Sequence, residues 1–258
     1  MPPASEQPEG SGEVKRNSMA SSQSISVIVI GHNEEQTIGA CLQALTAQTL
    51  IPTEIIFVAH NCTDNTISIA RQHPTVTILE LNGPMGQPYA RAYGIAHATG
   101  EIIACTDADT VARTDWLEHL TAPLHDKKIS GVGGLVWFSG FIGRWMSFDY
   151  FVLTPLTRWK RPFYFWGASM AFRKKDFELV GGFSSLYALK TTLGLASFAE
   201  DLYLGLLLMR HGRLVYASRA LCHSQSPPLS LKAWIQRGYQ QKQDYVKMTT
   251  YFKGTMQP

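Results

Sequence analysis

Five of the six residues from Ile25 to Ile30 are apolar, broken only by Ser26. A run this short and this continuous predicts a strand covered on both faces. Asn33 and Gln36 follow at capping-box spacing, with Asn33 as the N-cap. Ile38, Cys41, Leu42 and Leu45 then recur on one helical stripe. Short apolar runs at 55–58, 76–79 and 102–105 predict further strands, and helices at about 65–72 and 91–97 separate them, the second stopped near Gly100. Strands alternating with helices predict a doubly wound, mainly parallel α/β sheet. Ligands bind such sheets beyond the carboxyl ends of the strands, which directs attention to 31–35, 59–64 and 106–110. All three segments are rich in polar side chains.

Beyond Leu124 the pattern changes. Strands are predicted at 132–138, 169–172 and 214–217, a turn at Gly181-Gly182, and a helix at 201–210 closed by Gly212. Between the first two strands, 141–166 is crowded with aromatics and carries Arg144, Arg158, Lys160 and Arg161. Phe141, Trp145, Phe148 and Val152 stand at helical spacing there. Beside the basic cluster they fit either the core of a smaller lobe or a helix at a membrane interface.

Composition narrows the function classes. The chain has 258 residues, 45% hydrophobic and 17% charged, which suits one globular domain over 24–250 with a disordered tail over 1–23. A net charge of +3 announces no nucleic-acid partner. Cys41, Cys62, Cys105 and Cys222 are scattered, as reduced thiols of a cytosolic protein would be. No apolar run approaches the roughly 18 residues of a membrane span. The first two dozen residues lack an apolar core, so they do not read as a signal peptide. The expected location is the cytoplasm, with peripheral contact at the inner face of a membrane as the further expectation.

The sharpest chemical signal is Asp107-Ala108-Asp109 at the end of the fourth strand. Residues two apart in an extended chain face one side, so both carboxylates approach one point. A hard divalent cation takes such oxygen ligands and leaves room for phosphate and water. Alone, an Asp-x-Asp often caps a helix or decorates a loop; its place at a strand's carboxyl end favours the metal reading. Glu200-Asp201 opens a helix, where the dipole alone favours carboxylates. His223 follows the last strand and is either structural or a metal ligand better suited to Mn²⁺ than to Mg²⁺.

Ser26 to Ile30 followed by Asn33-Glu34-Glu35-Gln36-Thr37-Ile38 resembles the start of family 2 glycosyltransferases of the GT-A fold. Asn61-Cys62-Thr63-Asp64-Asn65-Thr66 is similar to that family's second nucleotide-binding loop. Ala98-Thr99-Gly100-Glu101 running into Asp107 and Asp109 resembles the approach to its metal motif, and Gly181-Gly182-Phe183 and Glu200-Asp201 match later landmarks. The resemblance covers about 24–245 and implies a nucleotide-diphosphate sugar donor, a Mn²⁺ or Mg²⁺ cofactor and an inverting transfer to an acceptor hydroxyl. That acceptor is a saccharide, lipid or small molecule. It divides the chain into a nucleotide-sugar half, 24–124, and an acceptor half, 125–250.

Carried over, Gly31, Asn33, Glu34, His60, Asn61 and Asp64 would bind the base and ribose. Asp107 and Asp109 would bind metal and diphosphate, with His223 as third ligand. Arg91 matches a basic residue near the nucleotide; the plain alternative is a solvated helix charge. Asp201 would be the general base and Glu200 its support. Gln236-Arg237-Gly238-Tyr239 resembles part of a Q-x-x-R-W motif without its ending, and Arg237 would reach the diphosphate. Two departures stand out: His60 replaces a common acidic residue, and Ala92 replaces an asparagine. A nucleotidyltransferase and a non-catalytic nucleotide-sugar-binding protein are the alternatives.

Overall fold

A computed structural model describes residues 23–139, 165, 167–197, 199–226 and 230–255. Strands β1 (Ile25–Gly31), β2 (Glu54–His60), β3 (Val76–Leu81) and β4 (Ile102–Asp107) form the parallel part of the sheet. Helices α1 (Ile38–Thr46), α2 (Thr66–Ala70) and α3 (Gln87–His97) connect them. The continuous apolar run of β1 is explained by burial on both faces. Val27 and Val29 pack under Ile38, Leu42 and Trp116, whereas Ile28 and Ile30 pack under Ile95 and Phe172. Each such side chain contributes about 1.5–3 kcal/mol when fully buried.

The second half continues the same sheet. After β5 (Thr110–Ala112) and α4 (Trp116–Thr121) come β6 (Ile129–Phe138), β7 (Met170–Arg173), α5 (Lys174–Leu179) and α6 (Leu186–Leu193). The chain then forms α7 (Glu200–Leu208), β8 (Arg213–Ser224) and α8 (Leu231–Thr255). The strand order is β3-β2-β1-β4-β7-β6-β8-β5, so the sheet is mixed, with β7 antiparallel to both neighbours and β6 parallel to β8. The order reverses between β1 and β4, and the carboxyl ends of these two strands face the crevice where ligands bind in such sheets.

Asn33 is not an N-cap. Its backbone is left-handed (φ 56°), and α1 begins only at Ile38. The asparagine is engaged elsewhere: its Oδ1 accepts from the Thr63 amide at 2.8 Å, which ties the two loops together. Asp107 and Asp109 are not on one extended segment either. The strand ends at Asp107, and Ala108-Asp109 turn the chain into β5. Helix α3 starts at Gln87, four residues earlier than the apolar stripe predicts, with Pro88 in its first turn, where a missing N–H costs nothing. Among the described residues no helix is long and apolar enough to cross a membrane. The aromatic stretch at 141–166 lies outside the described residues except for Phe165, which is buried against Gly131 and Gly205.

Candidate functional site

A cavity of about 400 Å³ opens at the β1/β4 switch point. Gly31, Glu34, His60, Asp107 and Asp109 line it, as the sequence leads one to expect. Gly31 lets the end of β1 approach the Asp-Ala-Asp turn: a Cβ there would lie 2.6 Å from that of Ala108. Glu34 accepts a hydrogen bond from Thr37 Oγ1 at 2.7 Å, and burial outweighs that bond in raising its carboxyl pKa.

Burial lowers the His60 imidazole pKa against a hydrogen bond to the Pro84 backbone, and neighbouring His32 lowers it further. A neutral ring therefore stands where a carboxylate is usual.

Met85, Gly86, Gln87 and Ala90 complete the wall. They were not among the expected residues, yet the segment Gly83-Pro84-Met85-Gly86-Gln87-Pro88 carries a legible signal. Gly83 and Gly86 have φ of 154° and 150°, open to glycine and strained for other residues. Two glycines and a proline ahead of a helix, with a second proline in its first turn, mark a shaped loop.

Asn33, Asn61 and Asp64 lie around this site as braces. Asn61 exchanges two hydrogen bonds with the Gly83 backbone, at 2.9 and 3.0 Å, fastening the loop after β2 to the loop before α3. Asp64 accepts from the Thr66 amide at 3.0 Å and the Glu35 amide at 3.1 Å. These bonds overcome the opposing effect of burial and hold its pKa below the usual carboxylate value.

The central feature is Arg91. It is neither solvated nor a wall of the cavity; its side chain is 0% exposed. Its guanidinium donates to Asp107 Oδ1 and to Glu200 Oε1, both at 2.5 Å. Burial pulls its pKa down, but the two carboxylates more than compensate, so the arginine stays charged. Gly167 lies directly against it: a Cβ there would come within 2.5 Å of the guanidinium. One buried cation thus joins the end of β4 to the start of α7.

Asp107 remains electrostatically loaded. Burial, with Asp109 and Glu200 nearby, pushes its carboxyl up to about 6 despite Arg91. Asp201 stands beside Glu200; burial and that neighbour raise its pKa, while hydrogen bonds from the Leu202 and Gly167 backbone oppose the rise. The Leu202 amide is 2.8 Å from Asp201 Oδ1. Asp109 accepts from Thr110 Oγ1 at 3.0 Å, and the Ser226 hydroxyl also donates to it.

His223 does not join the two aspartates. Its Nε2 is 2.7 Å from Ser139 Oγ, and it is the next residue, Ser224, that faces Asp109 across the pairing of β8 with β5. Alternation along a strand sends neighbouring side chains to opposite faces, which is why the histidine misses. Among the described residues no three His, Cys, Asp or Glu side chains gather around one point. A cation here would rely on Asp107 and Asp109 and take its remaining oxygens from phosphate and water, as Mg²⁺ and Mn²⁺ sites commonly do. The crowding of acids that raises Asp107 fits that role. Arg237 falls within α8, and its side chain is outside the described residues.

Comparison with known proteins agrees with this geometry. The model of the Glycosyl transferase family 2 matches residues 26–181. Over 121 residues the chain is 34% identical to glycosyltransferase AglE of Haloferax volcanii, covering 45% of this chain and 40% of that protein. Over 119 residues it is 29% identical to a 4,4'-diaponeurosporenoate glycosyltransferase of Staphylococcus aureus, covering 44% and 31%. The match therefore spans less than half the length of these curated relatives.

Among solved structures, a mannosyltransferase from Pyrobaculum calidifontis in complex with GDP-Man and Mn²⁺ superposes with a TM-score of 0.67 at 23% identity, covering 88% of this chain and 64% of that one. Glucosyl-3-phosphoglycerate synthase from Mycobacterium tuberculosis, in complex with Mn²⁺, UDP-Glc and phosphoglyceric acid, gives 0.59 at 18% identity, covering 90% and 80%. At these identities the likeness is one of fold. With the family model extending over more than half of its length, the chain belongs to glycosyl transferase family 2 and has the GT-A fold.

Proposed function

We propose that this chain transfers a sugar from a nucleotide-diphosphate donor to an acceptor hydroxyl, with inversion and with a divalent cation as cofactor. The observation that carries the reading is the Asp107–Arg91–Glu200 bridge. It ties the aspartates at the donor cavity to a carboxylate pair on the acceptor side. The nucleoside lies in the cavity against Gly31, Glu34 and His60, with Asn33, Asn61 and Asp64 bracing the loops that shape it. Asp107 and Asp109 would hold Mn²⁺ or Mg²⁺, which when bound would supply neutralising positive charge to the diphosphate leaving group. The Mn²⁺ and nucleotide-sugar complexes of the two structural neighbours support that assignment.

Asp201 removes the proton from the attacking hydroxyl. Its position supports this: backbone hydrogen bonds from Leu202 and Gly167 orient the carboxylate, and burial beside Glu200 makes it a stronger base than a solvated aspartate. Glu200, held by Arg91, keeps its own charge occupied and fixes the start of α7. The acceptor contacts this side, and the relative named a 4,4'-diaponeurosporenoate glycosyltransferase makes an apolar acceptor one to try first.

The test is release of nucleoside diphosphate from UDP-glucose and from GDP-mannose, with Mn²⁺ and Mg²⁺ in parallel. Asp201→Asn should bind the donor as tightly as wild type by calorimetry yet turn over ~10²–10⁴-fold more slowly. Wild-type turnover by this variant would remove Asp201 from its role. Turnover of no donor with either metal would point instead to a binding protein.

A further inference from the structure

Helix α8 was not predicted from sequence, and it carries a buried acid that the reaction scheme above leaves unused. Asp244 is 1% exposed. Its carboxylate accepts three hydrogen bonds, all at 2.9 Å: from the amides of Ala196 and Ser197 and from the Ser197 hydroxyl. A buried carboxylate with this many donors is satisfied as an anion and holds its donors at charge-assisted strength. One turn further along, Lys247 Nζ donates to the Gly194 carbonyl at 2.6 Å. The target of both is one segment, the connection from α6 into α7, which ends at Glu200 and Asp201.

Other contacts fix the direction in which this clamp acts. Helix α8 rests on α7 itself: Met248 and Phe252 are buried in one cluster with Leu202 and Tyr203, and the Tyr203 and Phe252 rings meet edge to face at 5.9 Å. Ala199, just before the helix, has a left-handed backbone (φ 43°), and no side chain caps the helix start. An alanine costs energy there, so surrounding contacts must impose that conformation. The Asp244 bonds to residues 196 and 197 are in position to do so.

We infer that Asp244 is a positioning residue: through the 194–199 segment it sets where the Glu200–Asp201 pair stands relative to Arg91 and the donor cavity. The inference rests on the reading of Asp201 as the base.

Asp244→Asn keeps the shape and exchanges an accepting oxygen for an N–H₂ group facing N–H donors. The measurement is nucleoside diphosphate release from UDP-glucose or GDP-mannose with Mn²⁺, water serving as acceptor, in wild-type and Asp201→Asn backgrounds. In the wild-type background kcat should fall about tenfold or more, as losing a charged hydrogen bond implies. Donor KM should stay within twofold. In the Asp201→Asn background the same change should cost less than twofold, because a residue acting through the base has nothing left to position.

Should Asp244→Asn fold poorly, Ser197→Ala removes one of the three bonds and should lower kcat about threefold with the same dependence on background. Unchanged kcat in both variants, or an equal loss in both backgrounds, would overturn the inference. A wild-type rate in Asp201→Asn alone would instead reject the base assignment, so the two failures can be told apart.

Discussion

Asp64 and Asp107 are both aspartates at the carboxyl-end face of the parallel strands, and their surroundings treat them in opposite ways. Asp64 accepts hydrogen bonds from two backbone amides and a threonine, and its pKa is held low. Asp107 has one strong partner in Arg91, two neighbouring acids and a partly buried position, and its pKa is driven up to about 6. The first is a finished structural joint. The second carries an excess of negative charge that the protein itself does not neutralise, which is what a site awaiting a cation needs. The contrast separates a residue that braces this site from one proposed to bind within it.

The comparison can be strained hardest at Arg91. Arg91→Met leaves the buried Glu200 and the partly buried Asp107 without their common cation, and stripping one partner from a buried pair such as Arg91–Glu200 costs about 3–5 kcal/mol. Urea denaturation at pH 7.5 should show that loss. Part of it should return at pH 5, where the Asp107 carboxyl, raised to about 6, takes up a proton and no longer needs the arginine. A loss below about 1 kcal/mol at pH 7.5 would mean that the bridge is not the electrostatic centre of the molecule.

A milder handle is pH itself. With Asp107 as the proposed ligand, protons should compete with the cation below about pH 6. Affinity for Mn²⁺, followed by calorimetry, should weaken by about tenfold from pH 7 to pH 5. Asp64, with its lowered pKa, stays ionised over this range and contributes nothing to the change. A flat profile would break the distinction between the two aspartates.

Smallest of all is Asp64→Ala. It removes the acceptor of the Glu35 and Thr66 amides at a partly exposed position, at a cost of about 1–2 kcal/mol. Thermal melting should register it, and Mn²⁺ affinity should not. A metal defect in this variant would move Asp64 from brace to ligand.

Much of the first half of the chain is legible in sequence because its signals are local. The run from Ile25 to Ile30 is apolar on both faces, and Asp107 closes a strand whose position follows from alternation with helices. Three features were beyond reach for one reason: each depends on a contact between distant residues. Arg91 has the spacing of any exposed helix charge, and only Glu200, 109 positions later, makes it a buried bridge. The displacement of His223 follows from the register of β8 against β5, which no local pattern encodes. Helix α8 has a weak apolar stripe: among its described residues the buried ones are Asp244, Met248 and Phe252, one of them a charged residue that reads as solvent-facing until its partners at Ala196 and Ser197 are known.

The strand order has a consequence for how the chain can be divided. Asp107 ends β4 near the middle of the sheet, yet Thr110, three residues on, begins β5 at the far edge, where the pairing shown is with β8. A linker of two residues spans only some 10 Å, so the sheet must curl until its edge returns to its centre. The Asp-Ala-Asp turn is the clasp of that curl. A fragment stopping before β8 would retain both aspartates and lose the strand that holds β5 in place. Co-expressed halves split near residue 126 should therefore bind Mn²⁺ only after they reassemble, and assembly of the metal site should be among the last events when the intact chain folds.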